Sequence, residues 1–321
     1  MKNLPVGRLL VIGVAALVLA LLPFQLSGYH QTLAARIALY FVAILGLNIL
    51  MGYTGQISIG HGAFMAIGGY TTVLLSIHQH LNLILTLPVS FAVCFAAGVL
   101  VGIPALRLSG VYLALATFAL AVSVPQFPFK FSKFLGGSNG LRTTDTPSYF
   151  WLYGVSWACA AISFVLAWLL LRGRTGRAFR AIRDSEVAAA SSGVALPIYK
   201  TLAFGISAAY AGVAGSLLVL VTNGYVQPGL FGILLSLQIL IGAAVAGLGS
   251  LYGVLVGALF IALLPTVAND VPVIGSSHGQ DVVFGLIVIL VMILLPNGFV
   301  GMLARVERLF KRQPRSDPKG A

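Results

Sequence analysis

The stretch that decides how this chain is read is Arg172–Pro197, RGRTGRAFRAIRDSEVAAASSGVALP. It is the one long polar, charged interruption in a sequence that is otherwise mostly apolar. Arg172, Arg174, Arg177, Arg180 and Arg183 come first, then Asp184 and Glu186. The middle has helical grammar: Phe179 and Ile182 stand at i, i+3, Arg180 is placed to meet Asp184 at i, i+4, and Arg183 to meet Glu186 at i, i+3. Gly193 reads as the helix stop, with Pro197 shortly beyond. A short helix held between two membrane spans offers a surface for another protein to push against. The competing reading is a solvated loop whose arginines only set topology, and spacing leaves both open.

The flanks are of membrane composition. Of 321 residues, 59% are hydrophobic and 8% charged, against about 25% charged in a soluble domain. Mean hydropathy is +1.01. The 37 glycines suit close helix packing in lipid. The net charge of +12 does not point to nucleic acid, because the basic residues sit in tails and loops beside apolar spans. Cys94 and Cys159 lie inside apolar runs and read as small packing residues.

A spanning helix needs about 20 apolar residues. Runs centre on Leu9–Leu22, Leu33–Met51, Ser58–Ile77, Leu83–Ile103, Val111–Val124, Trp151–Leu171, Thr201–Thr222, Phe231–Gly247, Leu251–Ala268 and Val282–Val300. The expected class is an all-α polytopic membrane protein of about ten helices, eight to ten if one is skipped in each half. The first run follows Lys2 and Arg8 in the manner of a signal peptide. No small-x-small cleavage site follows it, so it is read as a retained helix. With the N-terminus inside, 15 of the 19 lysines and arginines fall on the cytoplasmic side. This bias predicts that both termini and the 172–200 loop are cytoplasmic and that 126–150 is periplasmic. It makes 1–304 the membrane domain and 305–321 a cytoplasmic basic tail. A faint repeat, GYTGQISIG (Gly52–Gly60) and GYVQPGLFG (Gly224–Gly232), hints at two pseudo-symmetric inverted halves with the charged loop between them.

The chain contains no GxxxxGK[ST], HExxH or CxxC, so neither an ATP site nor a catalytic or metal constellation is expected. All seven acidic residues lie in loops, tails or span edges. That disfavours a proton-driven carrier, which keeps ionisable groups inside its spans. The richest polar stretch at membrane depth is Asn48–Tyr70, NILMGYTGQISIGHGAFMAIGGY. Irregular backbone there is tolerated only against protein or a water-filled cavity. Asn48, Gln56, Ser58 and His61 are therefore the candidate solute-path residues. The alternative is a turn followed by a packing face, with His61 an ordinary hydrogen-bonded histidine.

Several stretches together carry a family resemblance: LNILMGYTGQISIGHGAFMAIGGY (Leu47–Tyr70), GGSNGL (Gly136–Leu141), GRAFRAIRDSEVAAASSGV (Gly176–Val194), KTLAFGISAAYAGVAGSL (Lys200–Leu217) and LLPNGFVGML (Leu294–Leu303). The chain resembles the LivM-like permeases of branched-chain amino acid ABC importers. The resemblance implies a coupling helix within Gly176–Gly193 that docks on a separate ATPase. Phe179 and Ile182 would enter a groove there, Arg177, Arg180 and Arg183 would meet its acidic rim, and Glu186 and Gly193 would shape the element. It also implies a LivH-like second permease, two ATPase subunits that hold ATP and magnesium, a periplasmic solute-binding protein and a place in the bacterial inner membrane. Cargo in the family extends to other amino acids, urea and amides. One departure is AVAGLGSLYG (Ala244–Gly253), where the family more often has a double glycine and then Gly-Pro. A local packing change without loss of transport is expected there. The rival classes are a self-sufficient channel or carrier and an intramembrane enzyme.

Overall fold

The computed structural model describes residue 23, residues 25–108, 110–145 and 147–269, and residues 285, 286, 289, 293, 298, 299 and 301. The first apolar run, most of the tenth and the basic tail lie outside the described residues.

Twelve helices are described: α1 Gly28–Leu47, α2 His61–Gln79, α3 Leu83–Ala105, α4 Val111–Ser123, the short α5 Phe127–Lys130 and α6 Ser132–Leu135, α7 Tyr149–Arg172, α8 Arg174–Asp184, α9 Glu186–Ser191, α10 Leu196–Val221, α11 Ile233–Ala246 and α12 Gly253–Asn269. Two two-residue strands, β1 Leu141–Arg142 and β2 Tyr225–Val226, pair antiparallel. Six segments are long and apolar enough to cross a membrane: Gly28–Gly52, Leu83–Ala105, Val111–Lys130, Tyr149–Arg172, Leu196–Val221 and Pro228–Ala246. The expected eight to ten spans thus correspond to six among the described residues, with α2 and α12 as further, less apolar or shorter helices in the same bundle.

The axis is α10, whose most apolar window is 94% buried, against 28% for α3 and α7. Small residues make this possible. Cys94, Gly98 and Gly102, one turn apart on α3, face Gly212, Ala208 with Gly205, and Phe204 with Thr201 on α10. Gly68 of α2 lies directly on Gly212. In lipid there is no hydrophobic force between helices, so backbone approach and dispersion do the work that glycine permits. On the other side of α10 lies α1, and α7 and α12 pack on α1.

Two groups of loops separate to opposite ends of α10. Residues 52–56, 172–200 and 249–250 meet at one end, linked by Arg183 to Gly52, Gln56 to Lys200 and Asn48 to Ser250. Residues 76–82, 139–151 and 222–227 meet at the other, through the β1–β2 pair, Ser76 with Thr144, and the Tyr225 hydroxyl on the Asn139 carbonyl.

The charged loop differs from the expected single helix. α8 stops at Asp184, Ser185 is extended, and its hydroxyl caps α9 by accepting from the Ala188 amide. Serine serves better as an N-cap than as a helix interior. Gly193 ends α9 as expected: its φ is +82°, its amide bonds to Ala190 and the Val194 amide bonds to Ala189.

Candidate functional site

The site begins where α1 loses its regular winding. Asn48–Gly52 forms a π turn, after which residues 55–60 have no regular structure until α2 starts at His61. The Asn48 side chain, fully buried, explains the turn's position. Its Nδ2 donates to the Ser250 carbonyl at 2.8 Å, and its Oδ1 accepts from the Gly249 amide at 2.8 Å. Gly52 is forced by crowding, since a Cβ there would overlap the Asn48 amide and the Gly249 backbone. The Gly52 carbonyl accepts from Arg183 Nη1 at 2.6 Å. One small node therefore joins α1, the loop before α12 and α8.

From the node the chain runs to α2 along an open edge. Gly55 and Ile57 are exposed and Gln56 is half-buried. Gln56 Nε2 reaches Thr54 Oγ1 at 3.0 Å and the Lys200 carbonyl at 3.5 Å. The Ile59 amide donates to Thr117 of α4 and the Gly62 amide to Ser236 of α11. The Ile57 and Ser58 amides have no partner among the described residues. Unpaired backbone of this kind cannot face hydrocarbon, which leaves water or another protein to cover it.

Three of the four residues named from sequence lie behind this edge. Asn48 is in the node. Ser58, 1% exposed, accepts from the Gly60 amide at 3.4 Å. His61, 2% exposed, places Nε2 3.0 Å from Ser207 Oγ. The Ser207 hydroxyl donates to the Gly46 carbonyl at 2.8 Å. Its proton is thus spent, so His61 Nε2 carries the proton donated to Ser207 and Nδ1 is a bare acceptor with no partner. Of the four, only Gln56 stands at the open edge.

The charged loop also rearranges the expected pairings. Phe179 is 0% exposed and Ile182 2%, and Phe179 meets Tyr199 edge-on at 6.4 Å between centroids. These two were expected in a groove of another protein; here they face their own membrane domain. An amphipathic helix buries its apolar stripe on the nearest apolar surface, and sequence does not say which surface that is. Arg180 donates to the Leu171 carbonyl and not to Asp184; Arg183 donates to Gly52 and not to Glu186. Glu186 pairs instead with Lys200 at 2.6 Å. Arg177 and Val187 remain exposed on the outer face, Val187 by 78%. Ser207, Thr117, Ser236 and Lys200 escaped the sequence reading. Their only signal was polarity within or beside apolar runs.

The departure from the family pattern at Ala244–Gly253 falls on the node, since Gly249 and Ser250 are the partners of Asn48. Comparison with known proteins then supplies an identity for the whole. Residues 29–294 match the family described as the permease component of the branched-chain amino acid transport system. The high-affinity branched-chain amino acid transport permease LivM of Escherichia coli K12 is 30% identical over 90% of this chain and 74% of its own length. LivH of Salmonella typhimurium is 24% identical over 82% of this chain and 91% of its own length. BraD of Pseudomonas aeruginosa is 32% identical over 44% of each. No solved structure matches. The chain belongs to the branched-chain amino acid transport permease family, a family of transporter subunits rather than enzymes.

Proposed function

We propose that this permease forms, with a LivH-like second permease, the path for branched-chain or related amino acids in an ABC importer of the bacterial inner membrane. Two separate ATPase subunits bind ATP and magnesium, and a periplasmic binding protein delivers the solute. The observation that carries this reading is the node. A charged loop at one end of α10 is bonded through Arg183 to the backbone where α1 breaks, and the open edge Gly55–Ile57 starts three residues later. A subunit that moves α8 therefore acts on the backbone where the α1 span ends. In this reading Arg177 and Val187 meet the ATPase. Phe179 and Ile182 fasten α8 to the membrane domain, Arg180 and Glu186 fix its two ends, and Gly193 closes α9. Gln56 borders the path directly, while Asn48, Ser58 and His61 hold the wall behind it. Small uncharged polar groups suit a zwitterion that must be released as well as bound.

Two further readings belong here. The 172–200 loop and both termini are cytoplasmic and 126–150 is periplasmic, supported by the charge bias and by the separation of these loops to opposite ends. The two halves are inverted copies, supported by their matching plan. The 52–60 motif ends α1 and leads into α2; the 224–232 motif ends α10 and leads into α11. Likewise α2 and α3 pack on each other and on α10, as α11 and α12 do on each other and on α1.

The test is reconstitution of the chain with its second permease, ATPases and binding protein. ATP-dependent uptake of leucine, isoleucine or valine is the expected result. Solute flux through the chain alone, without ATP, would contradict the importer reading.

A further inference from the structure

Between α3 and α7, at the end bearing β1–β2, a gap opens over α10. Its mouth is a polar cavity of about 440 Å³ bordered by His80, Asn82, Leu83, Asp145, Ser148 and Trp151. Adjoining it along α3, since Leu83 borders one and Ile84 the other, lies an apolar cleft of about 340 Å³ lined by Leu87, Phe91, Cys159, Ile162, Leu166 and Tyr210 among others. Trp151 and Cys159 are eight residues apart on α7, about 12 Å along the axis.

Three features restrict what fills this slot. First, the cleft is open on its outer side: Ile84, Ile162 and Leu166, on helices apolar enough to span a membrane, are between 47% and 59% exposed. Second, the cleft is mostly apolar: the Tyr210 hydroxyl is spent on the Ser163 carbonyl at 2.9 Å, and the Ser163 side chain is the one other hydroxyl in the lining. Third, the mouth holds Asp145, which makes no ion pair among the described residues. Among the described residues it is the only acid at this end, since Asp184 and Glu186 lie on the charged loop at the other. A carboxylate above an apolar slot, with an indole beside it at the mouth, fits a cationic head joined to a hydrocarbon tail.

We propose that this slot holds one aminophospholipid, its primary ammonium on Asp145 and an acyl chain in the cleft below. An anionic lipid of the same chain length is disfavoured, because its head carries no ammonium to set against Asp145.

The experiment uses the full-length chain in nanodiscs of equal parts phosphatidylethanolamine and phosphatidylglycerol, followed by native mass spectrometry. The expected result is one retained phosphatidylethanolamine. Asp145→Asn, which removes the charge and keeps the shape, is expected to lower retention about fivefold. Ile162→Trp, which fills the cleft at a lipid-exposed position, is expected to abolish it. Excess free ethanolamine, which has the ammonium without the tail, is expected not to displace the lipid. Four results would each overturn the proposal. They are equal retention of both lipids, unchanged retention by Asp145→Asn, displacement by ethanolamine, and no retained lipid in the parent protein, the last meaning that protein fills the cleft.

Discussion

The two motifs GYTGQISIG (Gly52–Gly60) and GYVQPGLFG (Gly224–Gly232) look alike and do the same topological work, yet they are held differently. The second is locked. Val226 and Phe231 are 0% exposed, β2 pairs with β1, and the Tyr225 hydroxyl is fixed to Asn139. The first has Gly55 and Ile57 exposed and amides at Ile57 and Ser58 with no partner among the described residues, and its near end is tied to the charged loop by the Arg183–Gly52 and Gln56–Lys200 bonds. The two share only their first and last glycines; the bulky apolar residues differ. Phe231 inserts against Gly69 and Tyr70, whereas Ile59, at the same place in the first motif, is only half-buried. Few polar bonds at an open edge favour local opening of the first motif, and the strand pairing and the buried Phe231 oppose it in the second.

The comparison breaks most visibly if the locked side is loosened. Phe231→Ala is expected to cost about 3–5 kcal/mol, read as a large fall in the thermal midpoint of the purified permease. Gln56→Ala is expected to leave that midpoint almost unchanged, because Gln56 is half-buried and its longer bond is 3.5 Å. Phe179→Ala belongs with the first class. Its side chain is fully buried in its own chain, so a loss of about 3 kcal/mol or more is expected, with α8 more accessible to protease. If Phe179→Ala kept full thermal stability, the inward placement of the α8 apolar stripe would be contradicted.

Intermediate effects sharpen the node. Asn48→Ala removes both bonds to the 249–250 loop and strands the Gly249 amide, expected to cost about 1–3 kcal/mol. Increased hydrogen exchange at Gly249 and Ser250 would check it. The smallest effect is expected from Glu186→Gln. The Glu186–Lys200 pair is half-exposed on the acid side, and such a pair contributes about 1 kcal/mol or less. A shift of only a few degrees is expected, shrinking further at high salt.

Much of this was legible beforehand. The apolar runs located the helices because lipid demands long apolar segments. The Arg172–Pro197 interruption located the charged element, and Gly193 its end. The broken stretch at 48–60 was legible from its glycines and polar residues. Pairings were not. Arg183 bonds across 131 positions to Gly52, and Asn48 across 201 to Gly249. No local spacing rule reaches that far, while the local pairs of Arg180 with Asp184 and Arg183 with Glu186 are worth only a few tenths of a kcal/mol and gave way. The inward turn of Phe179 and Ile182 was hidden for a related reason: a helical stripe shows that a face is buried but not by what.

A partner moves this protein only if its contacts differ between two states, and the bond from Arg183 to the Gly52 carbonyl is where α8 and the open edge of the first motif share a contact. The direct measurement is transport per ATP hydrolysed in the reconstituted importer carrying Arg183→Ala, with assembly checked by co-purification. The account predicts a complex that assembles and hydrolyses ATP while its transport per ATP falls about tenfold, the effect of losing one charge-assisted bond. Transport per ATP equal to that of the parent complex would contradict it.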